Sequence, residues 1–340
     1  MNDSSGPAAH PLAIGVDLGG HGIKGVLVDS GGQLLHQDVV PLAPQSRELE
    51  VVEAKIQRLV ETMRASHEGG VSAALGLGVP GFLEGEAKVL RSSPNFPGWE
   101  NVSVEARFAG LLGQDIVVEN DANCAVLGER WIGGGRGCDN LLLLTLGTGV
   151  GTGALVGGRL LSGARGLGAE GGHVALYPGG RRCGCGQRGC LEAYASGPGL
   201  AMTAMEAWQE EGRPGKCPAT TALEVFAAEA EGGGPKAEHW ASRAIERYCL
   251  DLAQGIAGMV HLLAPEVVLL AGGISGAFAR IGAPLQEALK KRCIPAFSAR
   301  GLAVRPSALG DFSGAYGAAW VALQEASPAT DSEVRESSSQ

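Results

Sequence analysis

Short apolar runs separated by glycine-rich turns dominate the first forty residues of the chain. Residues 12–40 contain three such runs, with turns at Gly19–Gly22 and Ser30–Gly32, and this pattern predicts three consecutive strands. Similar runs later in the chain predict further buried strands, at residues 71–79, 116–118, 139–157 and 267–270. The pattern indicates strands whose ends carry glycines and polar residues.

Two other segments have their apolar residues at helical spacing. Between Arg47 and Met63, charged residues separate an apolar stripe that predicts an amphipathic helix lying on the sheet, formed by Leu49, Val52, Ile56, Leu59, Val60 and Met63. A longer stripe over residues 237–264 predicts a core helix, to which we assign no chemistry. The polar segment 327–340 has no periodicity and is expected to be disordered.

Length and composition favour two lobes rather than one. The chain has 340 residues, of which 45% are hydrophobic, and a single hydrophobic core stops growing at roughly 250–300 residues. Its 55 glycines show no collagen-like period and fall between apolar runs, as turns and phosphate-binding loops do.

Charge and hydropathy argue against two classes of partner. The 27 basic and 36 acidic side chains give a net charge of −9, whereas a general nucleic-acid-binding protein needs a basic surface. No apolar run approaches the roughly 20 residues of a transmembrane helix, and the N-terminal segment lacks the basic and apolar regions of a signal peptide. We therefore expect no nucleic-acid or membrane partner and a cytoplasmic location.

Three glycine turns follow predicted strands and are suited to phosphate binding, because glycine lets backbone amides approach phosphate oxygens. Their residues are Gly19, Gly20 and Lys24 in the first turn, Gly147, Thr148 and Gly149 in the second, and Gly272 and Gly273 in the third. Asp17 ends the strand before the first turn, where it would lie near the metal of a nucleotide. Taken alone, the first turn is also explained by an ordinary glycine-rich hairpin.

A polar segment, Glu119–Asn123, lies where a predicted strand becomes a helix. A carboxylate held there, that of Asp121, is placed to take a proton from a substrate hydroxyl. The alternative is structural, since Asn120 or Asp121 would also serve as the N-cap of the helix. A second polar loop, at residues 92–99, contains Asn95, which either contacts a ligand or caps the loop.

One histidine and three cysteines fall within the 23 residues from Glu170 to Glu192 and form a candidate zinc knuckle, made of His173, Cys183, Cys185 and Cys190. One imidazole and three thiolates are the ligands of a closed, tetrahedral structural zinc site. The alternatives are a disulfide between two of the cysteines, or four residues without a common partner. Glu170 and Glu192 bracket the knuckle and could present carboxylates to a polyhydroxylated ligand. The five cysteines outside the knuckle are expected to be buried free thiols.

Five motifs together resemble the ROK family of bacterial sugar kinases and related repressors. These motifs are DLGGHGIKGVLVD, ENDANCAVLGE, TLGTGVGTG, EGGHVALYPGGRRCGCGQRGCLEAYAS and APEVVLLAGGIS, and the resemblance runs from about residue 12 to 325. It implies an α/β, two-lobed actin-like ATPase fold built from ribonuclease H-like lobes. The expected division is a small lobe at 1–119, completed by a C-terminal helix at 313–325, a large lobe at 120–312 and a disordered tail at 326–340.

The resemblance also implies a role for each candidate residue. Asp121 resembles the catalytic base that deprotonates the sugar 6-hydroxyl. The implied sugar-binding residues are Asn120, Glu170, His173 and Glu192, with Gly81 and Asn95, and the glycine turns with Lys24 resemble the nucleotide site, with Asp17 near Mg²⁺. His21 departs from the family pattern, which usually has Thr or Ser there, so a phosphoryl donor other than ATP stays open.

The leading hypothesis from the resemblance is an ATP-dependent glucokinase that contains structural zinc and forms a homodimer. Kinases of N-acetylglucosamine, N-acetylmannosamine, mannose or fructose are the nearest rivals, because they share these motifs. A sugar-responsive repressor is a different class, in which a winged helix-turn-helix precedes the same body. Only 11 residues precede the first strand here, which favours the kinase.

Overall fold

The computed structural model describes residues 11–43, 45–67, 72–93, 95–234, 239–299 and 301–326. Its N-terminal half is built on a five-stranded sheet with strands β1 (Leu12–Leu18), β2 (Gly22–Asp29), β3 (Leu34–Pro41), β4 (Ala74–Val79) and β8 (Val117–Asn120). The strands lie in the order β3-β2-β1-β4-β8. The hairpin pairs β3-β2 and β2-β1 are antiparallel, whereas β1, β4 and β8 are parallel.

A second five-stranded sheet repeats this topology. It contains β9 (Leu141–Leu146), β10 (Val150–Val156), β11 (Arg159–Leu160), β12 (Val267–Ala271) and β13 (Ala303–Pro306), in the order β11-β10-β9-β12-β13. Again the first three strands are antiparallel neighbours and the last two run parallel to β9. Two sheets with the same order confirm the two-lobed, ribonuclease H-like α/β fold that the resemblance implies.

A small third sheet and the helices complete the described residues. The small sheet consists of β5 (Leu83–Glu84), β6 (Val89–Leu90) and β7 (Val102–Ser103). The helices are α1 (Leu49–Ala65), α2 (Val104–Leu112), α3 (Asp121–Trp131), α4 (Glu192–Ala195), α5 (Gly197–Glu210), α6 (Ala222–Glu231), α7 (Trp240–Leu263), α8 (Phe278–Arg292), α9 (Pro295–Ala299) and α10 (Ser313–Ala326). Within the described ranges, no helix is long and apolar enough to cross a membrane.

Glycines let helix α10 pack directly on the first sheet and on α3. A Cβ at Gly15 of β1 would lie 1.9 Å from the carbonyl oxygen of Ala315, and one at Gly76 of β4 would lie 1.9 Å from that of Ala318. Where the two helices cross, a Cβ at Gly317 would lie 1.6 Å from the carbonyl oxygen of Cys124. Since no side chain fits at these contacts, the glycines set the distance between α10 and its neighbours.

The predicted strands and the two predicted helices are present, with shifted ends. The helix expected from Arg47 begins at Leu49, and the core helix expected over 237–264 is α7, which begins at Trp240. The third glycine turn leads into a 3-10 turn, Gly273–Ala277, before α8 begins. The expected tail at 327–340 lies outside the described residues, and the expected lobe boundary at residue 119 stays a prediction.

Candidate active site

A cavity of about 450 Å³ lies between the two sheets. From the first sheet it is lined by Gly81, after β4, and by Asn120 and Asp121, where β8 becomes α3. From the second sheet it is lined by the turn at 147–149 and by residues around the cysteine knuckle. The cavity therefore lies at the carboxyl ends of the parallel strands, where open α/β sheets bind their ligands.

Asn120 is the N-cap of α3, as the structural alternative predicted. Its Oδ1 accepts hydrogen bonds from the backbone N–H groups of Ala122 and Asn123, at 2.9 and 3.1 Å. Its Nδ2 donates to the carbonyl oxygen of Gly81, at 3.2 Å. An amide nitrogen carries two hydrogens, so one donor remains to face a ligand.

Asp121 occupies the first turn of α3, where its Oδ1 accepts a hydrogen bond of 2.9 Å from the backbone of Ala122. Burial raises the pKa of Asp121 to about 6, although the backbone hydrogen bond opposes the shift. The carboxylate is thus ionised near neutral pH yet basic enough to accept a proton.

Two further carboxyls near Asp121 also have raised pKa values. Burial, together with the charges of Asp121 and Glu192, raises the pKa of Glu170 to about 7. Burial and the charge of Asp121 raise the pKa of Asp17 to about 7, and Lys24 opposes this shift. This concentration of acidic groups favours binding of a cation or of hydroxyl donors.

The second glycine turn is held against the knuckle by Glu192. The Oε2 atom of Glu192 accepts a hydrogen bond of 3.1 Å from the N–H of Val150. A Cβ at Gly149 would lie 2.4 Å from the same oxygen. Glycine is therefore needed at 149 for this carboxylate to reach the turn.

The four knuckle residues converge as the spacing predicted. Their ligand atoms all lie within 4.8 Å of one another. The Sγ of Cys183 lies 3.7 Å from Nδ1 of His173, and the Sγ atoms of Cys185 and Cys190 are also 3.7 Å apart. With Zn–S bonds of about 2.3 Å, a tetrahedral site has ligand separations of about 3.6–3.8 Å, and both of these 3.7 Å distances match it. All eight cysteines are unpaired, so the structure does not contain the disulfide of the alternative interpretation. Of the five outside the knuckle, Cys124, Cys249 and Cys293 are buried as expected, whereas Cys138 and Cys217 are only half-buried.

His173 presents its other ring nitrogen to a carboxylate. Its Nε2 lies 3.9 Å from Oε2 of Glu170, and its ring lies 6.2 Å from that of Phe82, centroid to centroid. His173, Glu170 and Phe82 all line the cavity. A metal on Nδ1 would thus fix the orientation of an imidazole whose opposite side faces the ligand space.

Most of the predicted site residues are brought together. Those that line the cavity are Gly20, Gly81, Asn95, Asn120, Asp121, Gly147, Thr148, Gly149, Glu170, His173, Cys183, Glu192 and Gly272. The others lie outside its lining, and these are Asp17, Gly19, Lys24, Cys185, Cys190 and Gly273. Lys24 belongs to β2 rather than to the turn, and its Nζ lies 3.9 Å from the exposed carboxylate of Asp311.

The cavity also contains residues that the motifs did not single out. Phe82 and Arg182 line it, as does the start of α5 with Ser196 and Gly199. Ser196 is the N-cap of α5, since its Oγ accepts a hydrogen bond of 3.1 Å from the N–H of Gly199. The segment Ser-Gly-Pro-Gly carries a recognisable helix-start signal, whereas nothing local in the sequence distinguishes Phe82 or Arg182.

Comparison with known proteins identifies sugar kinases as relatives in sequence. The sequence model of the ROK family matches residues 13–325. The glucokinase of Thermotoga maritima is 37% identical over 293 residues, which cover 84% of this chain and 89% of that protein. An N-acetyl-D-glucosamine kinase of Escherichia coli is 30% identical over 322 residues, covering 92% and 99%.

A solved structure gives the same result for the fold. The crystal structure of a ROK family glucokinase from Streptomyces griseus, in complex with glucose and AMPPNP, superposes with a TM-score of 0.78. The two sequences are 29% identical, and the match covers 92% of this chain and 99% of the other. The chain is thus similar to sugar kinases along nearly its whole length.

Proposed function

We propose that this chain, which belongs to the ROK family, is an ATP-dependent hexose kinase that phosphorylates the 6-hydroxyl of glucose. One observation carries the proposal: a basic carboxylate, Asp121, lines the same cavity as the hydroxyl-binding candidates and the glycine turns. A base, an acceptor site and a donor site in one cavity are what phosphoryl transfer to an alcohol requires.

Asp121 is the proposed catalytic base. Its carboxylate, whose pKa burial raises to about 6, would accept the proton of the 6-hydroxyl as the oxygen attacks the γ-phosphorus. The N-cap bonds of Asn120 fix the backbone from which Asp121 projects. Positioning and charge, rather than a covalent intermediate, would supply most of the rate enhancement.

The sugar site is proposed to combine fixed donors and acceptors. Asn120 would act as a donor only, because its oxygen is occupied by the helix backbone. Glu170 and Glu192 would accept hydrogen bonds from sugar hydroxyls, and His173 would contribute the ring nitrogen that faces Glu170. Gly81 and Asn95 would complete the site from the first lobe.

The site for ATP, the phosphoryl donor, is proposed to consist of the three glycine turns, whose amides would approach the phosphates of ATP. Asp17 offers a hard oxygen ligand beside the negative charge of Asp121. Burial and that charge raise the pKa of Asp17 to about 7, so a bound cation would favour its ionised form. These groups fit Mg²⁺, which when bound neutralises phosphate charge in the transition state.

Zinc is proposed for the knuckle of His173, Cys183, Cys185 and Cys190, because their separations fit a tetrahedral ion. Zinc would have no catalytic step. It would order a loop that carries Glu170, His173 and Glu192 and would orient the His173 ring.

An N-acetylhexosamine kinase is the second candidate, supported by the E. coli relative at 30% identity. Glucose takes precedence because the T. maritima glucokinase is more similar, at 37%. We also propose a cytoplasmic location, where ATP is abundant. A homodimer is proposed from the family resemblance alone.

The decisive experiment measures ADP release from ATP and Mg²⁺ with glucose, mannose, fructose, N-acetylglucosamine and N-acetylmannosamine. Polyphosphate serves as a second donor, because His21 stands where the family usually has a hydroxyl residue. Turnover with glucose at least tenfold above the other sugars supports the proposal. Turnover restricted to an N-acetyl sugar favours the second candidate, and silence with all five sugars and both donors overturns the assignment.

A further inference from the structure

Arg47 lies beneath the candidate active site, although it is far from the site motifs in the sequence. It precedes α1, which begins at Leu49, and its backbone is therefore not held by helical hydrogen bonds. Its side chain reaches toward the cavity wall rather than toward solvent.

The guanidinium of Arg47 joins two segments that line the cavity. Its Nη2 donates a hydrogen bond of 2.5 Å to the carbonyl oxygen of Gly20, in the first glycine turn. Its Nη1 donates a bond of 3.2 Å to the carbonyl oxygen of Asn95, in the polar loop. One planar group thus connects the proposed ATP site to the proposed sugar site.

The backbone of Arg47 is anchored as firmly as its side chain. The indole Nε1 of Trp99 donates a hydrogen bond of 3.0 Å to the carbonyl oxygen of Arg47. Trp99 is 1% exposed and packs against Phe96, with ring centroids 4.9 Å apart. Trp99, at one end of the segment 95–99, therefore binds the backbone of Arg47. The side chain of Arg47 binds the backbone of Asn95, at the other end.

The charge of Arg47 is not neutralised by a carboxylate. Among the described residues, the ion pairs do not include Arg47, and its buried Nε has no hydrogen-bond partner. A partly buried, unpaired guanidinium costs free energy unless something compensates for it. An anionic phosphoryl donor at the Gly20 turn would supply that compensation.

We propose that Arg47 is a positioning residue that couples donor binding at the Gly20 turn to sugar binding at Asn95. This inference rests on the proposed kinase function, since it takes the two segments to be the donor and acceptor sites. The two hydrogen bonds keep the segments at a fixed separation, so that ordering either one by its ligand orders the other.

The test compares Arg47→Met and Arg47→Lys with the wild-type enzyme. Glucose affinity is measured by calorimetry with and without AMPPNP and Mg²⁺, and steady-state KM and kcat are measured for both substrates. Because Arg47→Met removes two hydrogen bonds from a charged group, it should raise KM for ATP and for glucose about tenfold. It should also abolish the effect of AMPPNP on glucose affinity.

Arg47→Lys separates the effect of the positive charge from the effect of the two hydrogen bonds. Lysine keeps the positive charge but cannot make the two-point planar link, so it should recover part of the ATP affinity and none of the coupling. Arg107→Met is the matched control, because Arg107 pairs with Glu53 of α1 on the exposed surface, and it should leave both KM values and the coupling unchanged.

The outcomes distinguish the inference from the function on which it rests. Absence of hexose turnover by the wild-type enzyme overturns the proposed function. Normal turnover with unchanged coupling in Arg47→Met, at a melting temperature close to that of the wild type, overturns the role of Arg47 alone. If Arg47→Met lowers only the melting temperature, the residue is structural and the inference is again wrong.

Discussion

The Cα of Gly314 faces the carboxylate of Asp17 so closely that no side chain fits between them. A Cβ on Gly314 would lie 2.6 Å from Cγ of Asp17 and 2.8 Å from each carboxylate oxygen. Gly314 lies in the first turn of α10, and Asp17 lies near the end of β1. Helix α10, the last one within the described residues, therefore fixes the position of a carboxylate proposed to lie near Mg²⁺.

Replacing Gly314 with Ala should lower kcat strongly while the protein stays folded. The added methyl group must displace the Asp17 carboxylate or shift α10, and misplacing a reacting group by about 1 Å costs about 100-fold in rate. Steady-state kinetics at several Mg²⁺ concentrations measure the effect. Gly110→Ala is the control, since a Cβ there meets open space. Equal kcat in the two variants would show that Asp17 needs no fixed position.

Activity should fall in acid as Asp121 becomes protonated. Its pKa is raised to about 6, and a general base works only when ionised, so protonation of Asp121 should lower kcat/KM about tenfold per pH unit below about 6. Above that pH Asp121 causes no further change. The pKa values of Asp17 and Glu170 are raised to about 7, so their protonation should begin at a higher pH and make the fall steeper. The pH profile of kcat/KM for glucose between pH 5 and 8 measures the effect.

Asp121→Ala should remove turnover and leave glucose binding measurable, because Asn120, Glu170, His173 and Glu192 remain. Calorimetry with glucose reports binding, and ADP release reports turnover. A variant that retains near-normal turnover would show that another group acts as the base.

Cys185→Ser should lose zinc and glucose affinity together. Cys185 does not line the cavity, but removing one of four ligands opens the site that orders the loop carrying Glu170, His173 and Glu192. Metal analysis of the purified protein and glucose calorimetry measure the two losses. Cys217→Ser, at a free thiol outside the knuckle, should change neither. Full glucose affinity in zinc-free protein would separate the knuckle from the sugar site.

Glu129→Gln should destabilise the fold by about 2–4 kcal/mol. The Glu129 side chain is fully buried, and it accepts hydrogen bonds from the hydroxyl of Ser307 and from backbone N–H groups of Gly134, Ala308 and Leu309. A glutamine amide would place N–H groups against some of these donors. Urea denaturation measures the difference, and Ser307→Ala, which removes one bond, should cost only about 1 kcal/mol.

Features of the site that depend on residues close together in the sequence were predicted better than those that depend on long-range contacts. The spacing of the cysteines predicted the convergence of four ligand atoms, which is observed. The capping alternative for Asn120 was right, and it is compatible with a ligand role because the two functions use different atoms of the amide. Position after a strand end singled out Asp121, whereas Gly81 was expected only from the family resemblance, and both line one cavity.

Long-range contacts could not be read from pattern alone. Periodicity placed Arg47 at the start of a helix, whereas its side chain bonds carbonyls 27 and 48 residues away in the sequence. The contact of Gly314 with Asp17 joins opposite ends of the described chain. Helix α10 was expected only from the family resemblance, because it is buried on most sides and lacks a clear apolar stripe.

Because the chain is synthesised from its N-terminus, α10 is made long after the strands on which it packs. The strands β1 and β4 leave the ribosome early, but the helix that packs against their glycines is encoded by the last described residues, Ser313–Ala326. About 250 residues separate the end of β4 from the end of α10, so at roughly 5–20 residues per second the face that α10 will cover stays open for roughly 12–50 seconds. During that interval the nascent chain exposes an apolar sheet surface, so loss of the C-terminal helix would leave a product prone to aggregation and to capture by chaperones.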